Sequence, residues 1–161
     1  MKKLVWKIFL VLVVSSSILL FIGCMGSPSA SKEEEESAKK FLTDPDNSVI
    51  YIYRDTIVAM MQTFRLYIDD SSLIGEAKNK SFFRIIVQPG THTITVTNMR
   101  NVALENMSIS TDAGKVYYVE LQLGANPISG IPKLKVVEEK ESQKKIQGCS
   151  LLKTGTTAMD K

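Results

Sequence analysis

The sequence has few of the side chains that build metal sites and catalytic centres, with one histidine and two cysteines among its 161 residues. Zinc sites are formed by three or four Cys, His or carboxylate ligands, so His92 and a spare cysteine cannot build the usual ones. A hydrolytic triad needs a base held beside a nucleophile. His92 stands inside a predicted strand, where a histidine is more typical of a packed or edge residue. Since a glycine-rich phosphate loop is also missing, we expect no catalytic, cofactor-binding or metal-binding residues and no enzymatic activity.

The chain also lacks an excess of charge of one sign once its N-terminus is set apart. There are 20 Lys and Arg residues against 17 Asp and Glu, and Lys2, Lys3 and Lys7 lie within the first 23 residues. The remainder therefore has 17 positive and 17 negative side chains and no formal net charge. Because nucleic-acid binding needs clustered Lys and Arg against phosphates, we expect no nucleic-acid partner.

The N-terminal apolar run is shorter than the roughly 20 residues that a transmembrane helix needs. It covers residues 8–23 and follows a basic start, which is the order of a secretory signal. The run ends in LFIGC (20–24), which looks like the lipobox of a bacterial lipoprotein. We therefore interpret residues 1–23 as a signal peptide and Cys24 as the site of lipid attachment. An uncleaved anchor that begins at Leu4 is the alternative.

A lipid on Cys24 predicts a membrane location for the folded part of the chain. Each buried methylene contributes about 0.8 kcal/mol, so more than one palmitate-like chain holds a protein on its membrane almost permanently. Met25 stands where an aspartate would resemble the inner-membrane retention signal of enteric bacteria. This favours the periplasmic side of the outer membrane in a Gram-negative host. With Cys24 modified, Cys149 is left without an internal disulfide partner, and we expect its thiol to be buried and inert; an intermolecular bond is the alternative.

The segment after the modified cysteine predicts a tether followed by a short helix. Residues 25–31 are small and polar, which is the composition of a flexible linker. Ser31 and Glu34 have the spacing of a capping box, and the acidic first turn suits the helix dipole. We expect a helix that runs to about Leu42, docks through Phe41 and holds the domain off the membrane.

From Ser48 onward the apolar residues recur with the period of two that is typical of strands. Residues 49–54 are β-branched or aromatic on both faces, as expected for a central strand. We predict strands at 49–54, 64–68, 81–87, 91–98, 102–111, 116–123 and 133–137, with a short return strand at 73–77. This pattern predicts an all-β fold, a small antiparallel β-sandwich of about seven strands, followed by a short helix over residues 138–147.

The chain is therefore expected to divide into four parts. Residues 1–23 are the signal peptide, 24–44 the lipidated tether and short helix, and 45–153 the β-sandwich domain with its C-terminal helix. A domain of this length is enough to bury a core of its own. Residues 154–161 lack the apolar content to pack and are expected to be disordered.

The motifs of the sandwich follow one another in an order that resembles a family of bacterial lipoproteins known as domain of unknown function 2846. The matching pieces are AKKF (38–41) with Pro45, IYIYR (50–54), FR (83–84), PGTHTI (89–94) and AGKVYYV (113–119). The resemblance spans roughly residues 38–152, and its Pro-Gly-x-His hairpin is shared with PEGA-type surface modules. It implies an envelope-anchored β-sandwich, and the family brings no assigned activity or catalytic residues.

The strongest candidate for a contact surface is the segment 56–62, which we expect to be a loop. Contiguous apolar residues in a loop, two of them adaptable methionines, suit a partner interface. The predicted partner contacts are the apolar side chains Ile57, Val58, Met60 and Met61. The alternative is that this loop folds over the open end of the sandwich. Residues 126–132 are expected to flank it.

Charged residues within the strands are expected to be structural. Arg54 and Arg84, each next to aromatic residues, should stack on rings or pair with carboxylates across the sheet. Glu120 is the acidic residue that stands out in an apolar strand, and we expect it to be solvated or paired with an arginine.

The sequence thus predicts a lipid-anchored, non-enzymatic cell-envelope protein that binds another envelope component, with a protein partner favoured. The alternative is an accessory module that binds glycan or peptidoglycan. Its stacking platforms for sugar rings would be the tyrosines Tyr51, Tyr53, Tyr67 and Tyr117.

Overall fold

The alternating apolar residues form strands where the sequence predicts them. The structure is a computed structural model, and it describes residues 27–69, 72–124 and 130–155. The predicted signal peptide (1–23) and Cys24 lie outside these ranges, as do residues 156–161 of the predicted tail. No helix in the described part of the chain is long and apolar enough to cross a membrane.

The elements in chain order are α1 (Lys32–Ala38), β1 (Ser48–Arg54), β2 (Phe64–Ile68), β3 (Ser72–Ala77), β4 (Ser81–Val87), β5 (Gly90–Thr97), β6 (Ala103–Thr111), β7 (Val116–Leu123), β8 (Pro132–Val136), α2 (Glu139–Gln147) and β9 (Ser150–Leu151). Strands β1 to β8 begin and end within one residue of their predicted limits. The pattern missed β9, because two residues are too few to show a period.

The strands form two sheets, and the predicted β-sandwich is confirmed. One sheet has five strands in the order β8-β7-β1-β4-β9, and the other has four in the order β3-β2-β5-β6. The predicted antiparallel pairing is wrong at two places, since β1 pairs with β7 and β4 with β9 in parallel. The chain passes through β5 and β6 of the other sheet before it returns as β7 beside β1, and an alternating pattern says nothing about strand direction.

Strand β1 is the centre of the fold, and all seven of its residues are buried. Ile50 and Ile52 face the four-stranded sheet and pack into the main core with Leu66, Ile94 and Val119. The side chains on the other face of β1 point away from that sheet. Because successive side chains of a strand point to opposite faces, a strand that is apolar on both faces must be covered on both.

A second apolar cluster covers the outer face of the five-stranded sheet. Tyr51, Tyr53 and Phe82 pack there against Ile146 of helix α2 and against Ala38, the last residue of α1. The hydroxyl of Tyr51 donates a hydrogen bond of 2.6 Å to the Ala38 carbonyl oxygen. Both helices are therefore fixed to the back of the sheet rather than standing apart from it.

The predicted capping box is present at the start of α1. The Ser31 hydroxyl accepts a hydrogen bond from the Glu34 amide, and the Glu34 carboxylate accepts one from the Ser31 amide. The helix ends at Ala38, earlier than predicted. Phe41 adopts a positive φ of 54°, which ends the helical path, and its ring lies 5.3 Å from that of Tyr51. The predicted docking through Phe41 is confirmed.

The prediction of a flexible tether is wrong from Ser27 onward. Residues 27–30 run beside the C-terminal strand, and Ser29 forms an isolated antiparallel bridge with Leu152. The prediction of a disordered tail from residue 154 onward is wrong at Gly155, since its amide donates a hydrogen bond to the Ile74 carbonyl oxygen of β3. These contacts arise from backbone groups, which side-chain composition does not reveal.

Candidate functional site

An open groove lies at one end of the sandwich, where β2, β6 and β8 begin and β5 ends. Its volume is about 580 Å³, within the range of natural ligand sites. The apolar part of its lining consists of Phe64, Met99, Leu104, Ile131 and Pro132. Polar groups at the groove come from Gln62, Asn98 and Arg100. The arrangement combines a large apolar surface with a few polar groups, as recognition sites do.

A β-bulge brings Leu104 into this lining. The register between β5 and β6 shifts, so that Val96 pairs with Glu105 and Thr97 with Ala103. Leu104 is therefore the extra residue of the bulge, and its side chain lies partly exposed in the groove instead of in the core. Bulges commonly redirect a side chain in this way at the edge of a sheet.

The turn between β5 and β6 is fixed by its own hydrogen bonds. The Asn98 side-chain oxygen accepts from the amides of Arg100 and Val102, at 2.9 and 3.0 Å. Asn101, at a positive φ of 60°, accepts a hydrogen bond of 2.9 Å from Arg65. The turn was not predicted as a contact surface, because its exposed Met99 stands between two polar residues and not in a contiguous apolar run like that of the segment 56–62.

The segment 56–62 is a loop, as predicted. Some of its residues fold over the end of the sandwich, and others are exposed as a contact surface would be. Val58 and Ala59 pack against the core at the end of the sandwich. Ile57 and Met61 are 85% and 96% exposed, and Met60 is exposed as well. Of the four predicted contact residues, Val58 is thus directed inward and the other three outward, and their role in binding a partner stays a prediction.

Arg54 holds this loop in place from below. Its guanidinium is fully buried and donates hydrogen bonds to the carbonyl oxygens of Gln62 and Ala59. It also lies 5.4 Å from the ring centroid of Phe64, so the expected stacking on an aromatic ring is confirmed. These hydrogen bonds of Arg54 go to backbone carbonyls rather than to the expected carboxylates. Burial lowers the pKa of Arg54, yet an arginine this basic keeps its charge at neutral pH.

The predicted flank 126–132 contributes to the same groove through its described part. Gly130, Ile131 and Pro132 line the same groove as Gln62, and Ile131 is 71% exposed. Residues 125–129 lie outside the described ranges. The structure thus brings the end of the predicted contact loop together with its predicted flank.

Two of the four tyrosines proposed as platforms for sugar rings are not surface residues. Tyr51 and Tyr53 are buried, and burial raises the pKa of both hydroxyls. Tyr67 and Tyr117 are half-buried, and their hydroxyls bind Asn101 and Asp112. The prediction is therefore wrong for Tyr51 and Tyr53, because these side chains fill the second cluster instead of facing solvent.

Glu120 is neither solvated nor paired with an arginine, in contrast to the prediction. It is buried, and its carboxylate accepts hydrogen bonds from Lys145 at 2.8 Å and from Gln122 at 2.7 Å. Burial by itself lowers the pKa of Lys145, but the hydrogen bonds from its ammonium group to Glu120 and Glu141 raise the pKa by more. The pKa of Lys145 therefore lies above its ordinary value. The pair joins helix α2 to strand β7. Glu120 and Lys145 are 25 residues apart in the sequence, so no local pattern predicts that they pair.

His92 is a hydrogen-bonded strand residue, as predicted. Nδ1 lies 2.8 Å from the Asp69 carboxylate and Nε2 lies 2.8 Å from the Gln88 carbonyl oxygen. Burial lowers the pKa of His92, but the bonds to Asp69 and Gln88 raise it more, so that it lies above its ordinary value. Both nitrogens are occupied, and neither is directed at a nucleophile.

Cys149 is buried, as expected. Its thiol donates to the Lys145 carbonyl oxygen, and burial raises its pKa to about 11. At neutral pH the thiol is protonated and therefore a poor nucleophile. Within residues 27–69, 72–124 and 130–155, no group of three or more His, Cys, Asp or Glu side chains is placed to hold a metal ion.

Two similarities to known proteins cover most of the domain. A family described as "Protein of unknown function (DUF2846)" matches residues 44–130. A protein of Haemophilus influenzae, described as uncharacterized, is 33% identical over 129 residues, which is 80% of this chain and 75% of the relative.

Proposed function

The chain belongs to the family described as Protein of unknown function (DUF2846), and from this premise we propose that it is a lipid-anchored cell-envelope protein that binds a protein partner in the groove at the end of its sandwich. The family description gives no activity. The proposal therefore depends on the sequence before the domain and on the groove itself.

The proposed anchor is a lipid on Cys24. A basic start, an apolar run too short to span a bilayer and a Gly-Cys pair support it. The proposed location is the cell envelope, on the periplasmic face of the outer membrane in a Gram-negative host, because Met25 follows Cys24.

The groove is the observation that carries the proposed binding function. Exposed apolar side chains from two chain segments line it, Met99 and Leu104 from one and Ile131 from the other. The loop that carries the exposed Met60 and Met61 adjoins the groove at Gln62. Solvent-exposed apolar surface that is gathered in one place marks interaction sites, and methionine adapts to irregular partner surfaces. A protein segment with apolar side chains is the occupant that fits, since the exposed Arg100 at the groove offers hydrogen bonds to its backbone carbonyls.

We propose further that the protein is not an enzyme. His92 has both ring nitrogens engaged, Cys149 is buried with a raised pKa, and Glu120 is paired with Lys145. A general base must be able to reach the proton that it abstracts, and none of these three groups faces the groove. Binding therefore accounts for the exposed groups better than catalysis does.

In-cell photo-cross-linking tests the proposal. A photoreactive amino acid replaces Ile131, at the groove, or Leu42, which is similarly exposed at 60% but follows helix α1. We expect a reproducible protein adduct from position 131 and not from position 42, identified by mass spectrometry. Equal adducts at both positions, or adducts at neither, would contradict a protein-binding groove. Adducts to peptidoglycan fragments at position 131 would favour the glycan alternative.

A further inference from the structure

The described N-terminal residues join the two sheets at one edge of the sandwich. The Ser27 hydroxyl accepts a hydrogen bond of 2.7 Å from the Glu76 amide in β3, the edge strand of the four-stranded sheet. Three residues later, the Ala30 amide donates to the Leu151 carbonyl oxygen in β9, the edge strand of the other sheet. The Lys153 amide donates to the Pro28 carbonyl oxygen at 2.9 Å. This short segment is thus part of the fold.

Gly75 shows how closely the segment fits. A Cβ atom at this position would lie 2.5 Å from the Ser27 hydroxyl oxygen and 2.6 Å from the Phe83 ring. Cβ atoms essentially never make contacts this short, so a side chain at position 75 would displace Ser27 or Phe83. Gly75 also has a φ of 154°, which other residues rarely adopt. The glycine therefore permits the N-terminal segment to lie directly on β3.

The consequence concerns the distance between the fold and its proposed anchor. Cys24 precedes Ser27 by three residues, and three residues can extend over about 10 Å at most. A free tether up to Ser31 would have more than twice that reach. We infer that the lipid holds the β3–β9 edge of the sandwich directly against the bilayer surface, as a docked face. This inference rests on the proposed lipid on Cys24.

The same topology places the β6 and β8 part of the groove at the edge away from the bilayer. The groove is lined by the starts of β6 and β8, and these are the other two edge strands of the sheets. Three strand spacings separate β3 from β6, or about 14 Å at roughly 4.8 Å each. The part of the groove formed by β6 and β8 is therefore at the edge opposite the anchored one, whereas its β2 part lies next to β3. A partner that approaches along β6 and β8 can reach the groove while the protein stays anchored.

Contact quenching in vesicles tests this arrangement. A single reporter cysteine is introduced by Lys153→Cys, beside the docked edge, or by Lys135→Cys, on the exposed face of β8, and is labelled with a small fluorophore. The buried Cys149 does not compete for the label. The lipidated full-length protein is placed in phosphatidylcholine vesicles that carry a nitroxide on the headgroup. We expect quenching at position 153 to be several-fold stronger than at position 135.

A linker variant provides the matched control. Insertion of a flexible Gly-Ser segment between Gly26 and Ser27 should reduce quenching at position 153 to the level of position 135. Equal quenching at the two positions in lipidated protein without the insertion would overturn the docked edge and leave the proposed anchor intact. Absence of a lipid on Cys24, measured by mass spectrometry of the membrane fraction, would overturn both the anchor and this inference.

Discussion

The Nη2 atom of Arg54 donates a hydrogen bond of 2.6 Å to the carbonyl oxygen of Ala59. The other terminal nitrogen of the same guanidinium binds the Gln62 carbonyl oxygen. A buried cation at the end of the central strand thus sets the position of the exposed loop that carries Met60 and Met61. A loop that is already ordered loses less conformational entropy when a partner binds.

Replacement of Arg54 should release this loop. Arg54→Met removes both hydrogen bonds and leaves two carbonyl groups without them, for which we expect a loss of about 3 kcal/mol in the free energy of unfolding. Urea denaturation measures the loss, and hydrogen exchange should accelerate over residues 57–62. The matched control is Arg100→Met at the groove, with a loss of about 0.5 kcal/mol or less. Unchanged exchange in the Arg54 variant would show that the loop is held by other contacts.

The two glycines Gly75 and Gly114 should respond differently to alanine. Both have a positive φ, but a Cβ atom at Gly114 would meet nothing within 4 Å. We expect Gly114→Ala to cost about 1 kcal/mol, from backbone strain alone. Gly75→Ala should cost about 3 kcal/mol, since strain and a clash with Ser27 and Phe83 add. Equal losses in thermal or urea unfolding would mean that the N-terminal segment does not pack on β3.

The single histidine gives a direct reading of its own protonation. Both nitrogens of His92 face acceptors, the Asp69 carboxylate and the Gln88 carbonyl oxygen, which favours the doubly protonated ring. An NMR titration should therefore give a pKa above the ordinary 6.5, and Asp69→Asn should lower it. A measured pKa at or below 6.5 would contradict the observed hydrogen bonds.

The same shift has a consequence for stability. Because the pKa of His92 is raised in the folded state, its contribution to the free energy of unfolding is complete below the unfolded value of 6.5. It should decline as the pH rises from there through the folded pKa. A His92→Gln variant should lack this part of the pH dependence, which urea titrations at a series of pH values measure. An identical pH dependence in the variant and the original protein would show that His92 contributes nothing to it.

Sequence reasoning was most successful where the cause is local. The alternating strands and the capping box of Ser31 and Glu34 depend on residues close together in the chain, and all were predicted. The apolar loop 56–62 and its flank were also singled out, because exposed apolar residues between strands are visible in the sequence alone. That Gln62 and this flank line the same groove could not be predicted without the fold.

The features that were missed depend on contacts between distant segments. Glu120 forms an ion pair with Lys145, and Ser27, in the predicted linker, accepts a hydrogen bond from strand β3. Neither composition nor period contains this information, since backbone groups and long side chains can pair with any segment that topology brings near. The parallel direction of β7 beside β1 was missed for the same reason.

The most direct test of the account is the capture of a partner by groove variants. Ile131→Asp and Met99→Asp place a charge on exposed apolar positions of the groove, so we expect folding stability to change by about 0.5 kcal/mol or less. Leu42→Asp, at an exposed apolar position next to helix α1, is the matched control. Partner recovery from cross-linked envelopes should fall at least tenfold for the two groove variants and remain unchanged for the control. Full recovery with both groove variants, in protein shown to be folded, would contradict the claim that the groove binds a partner.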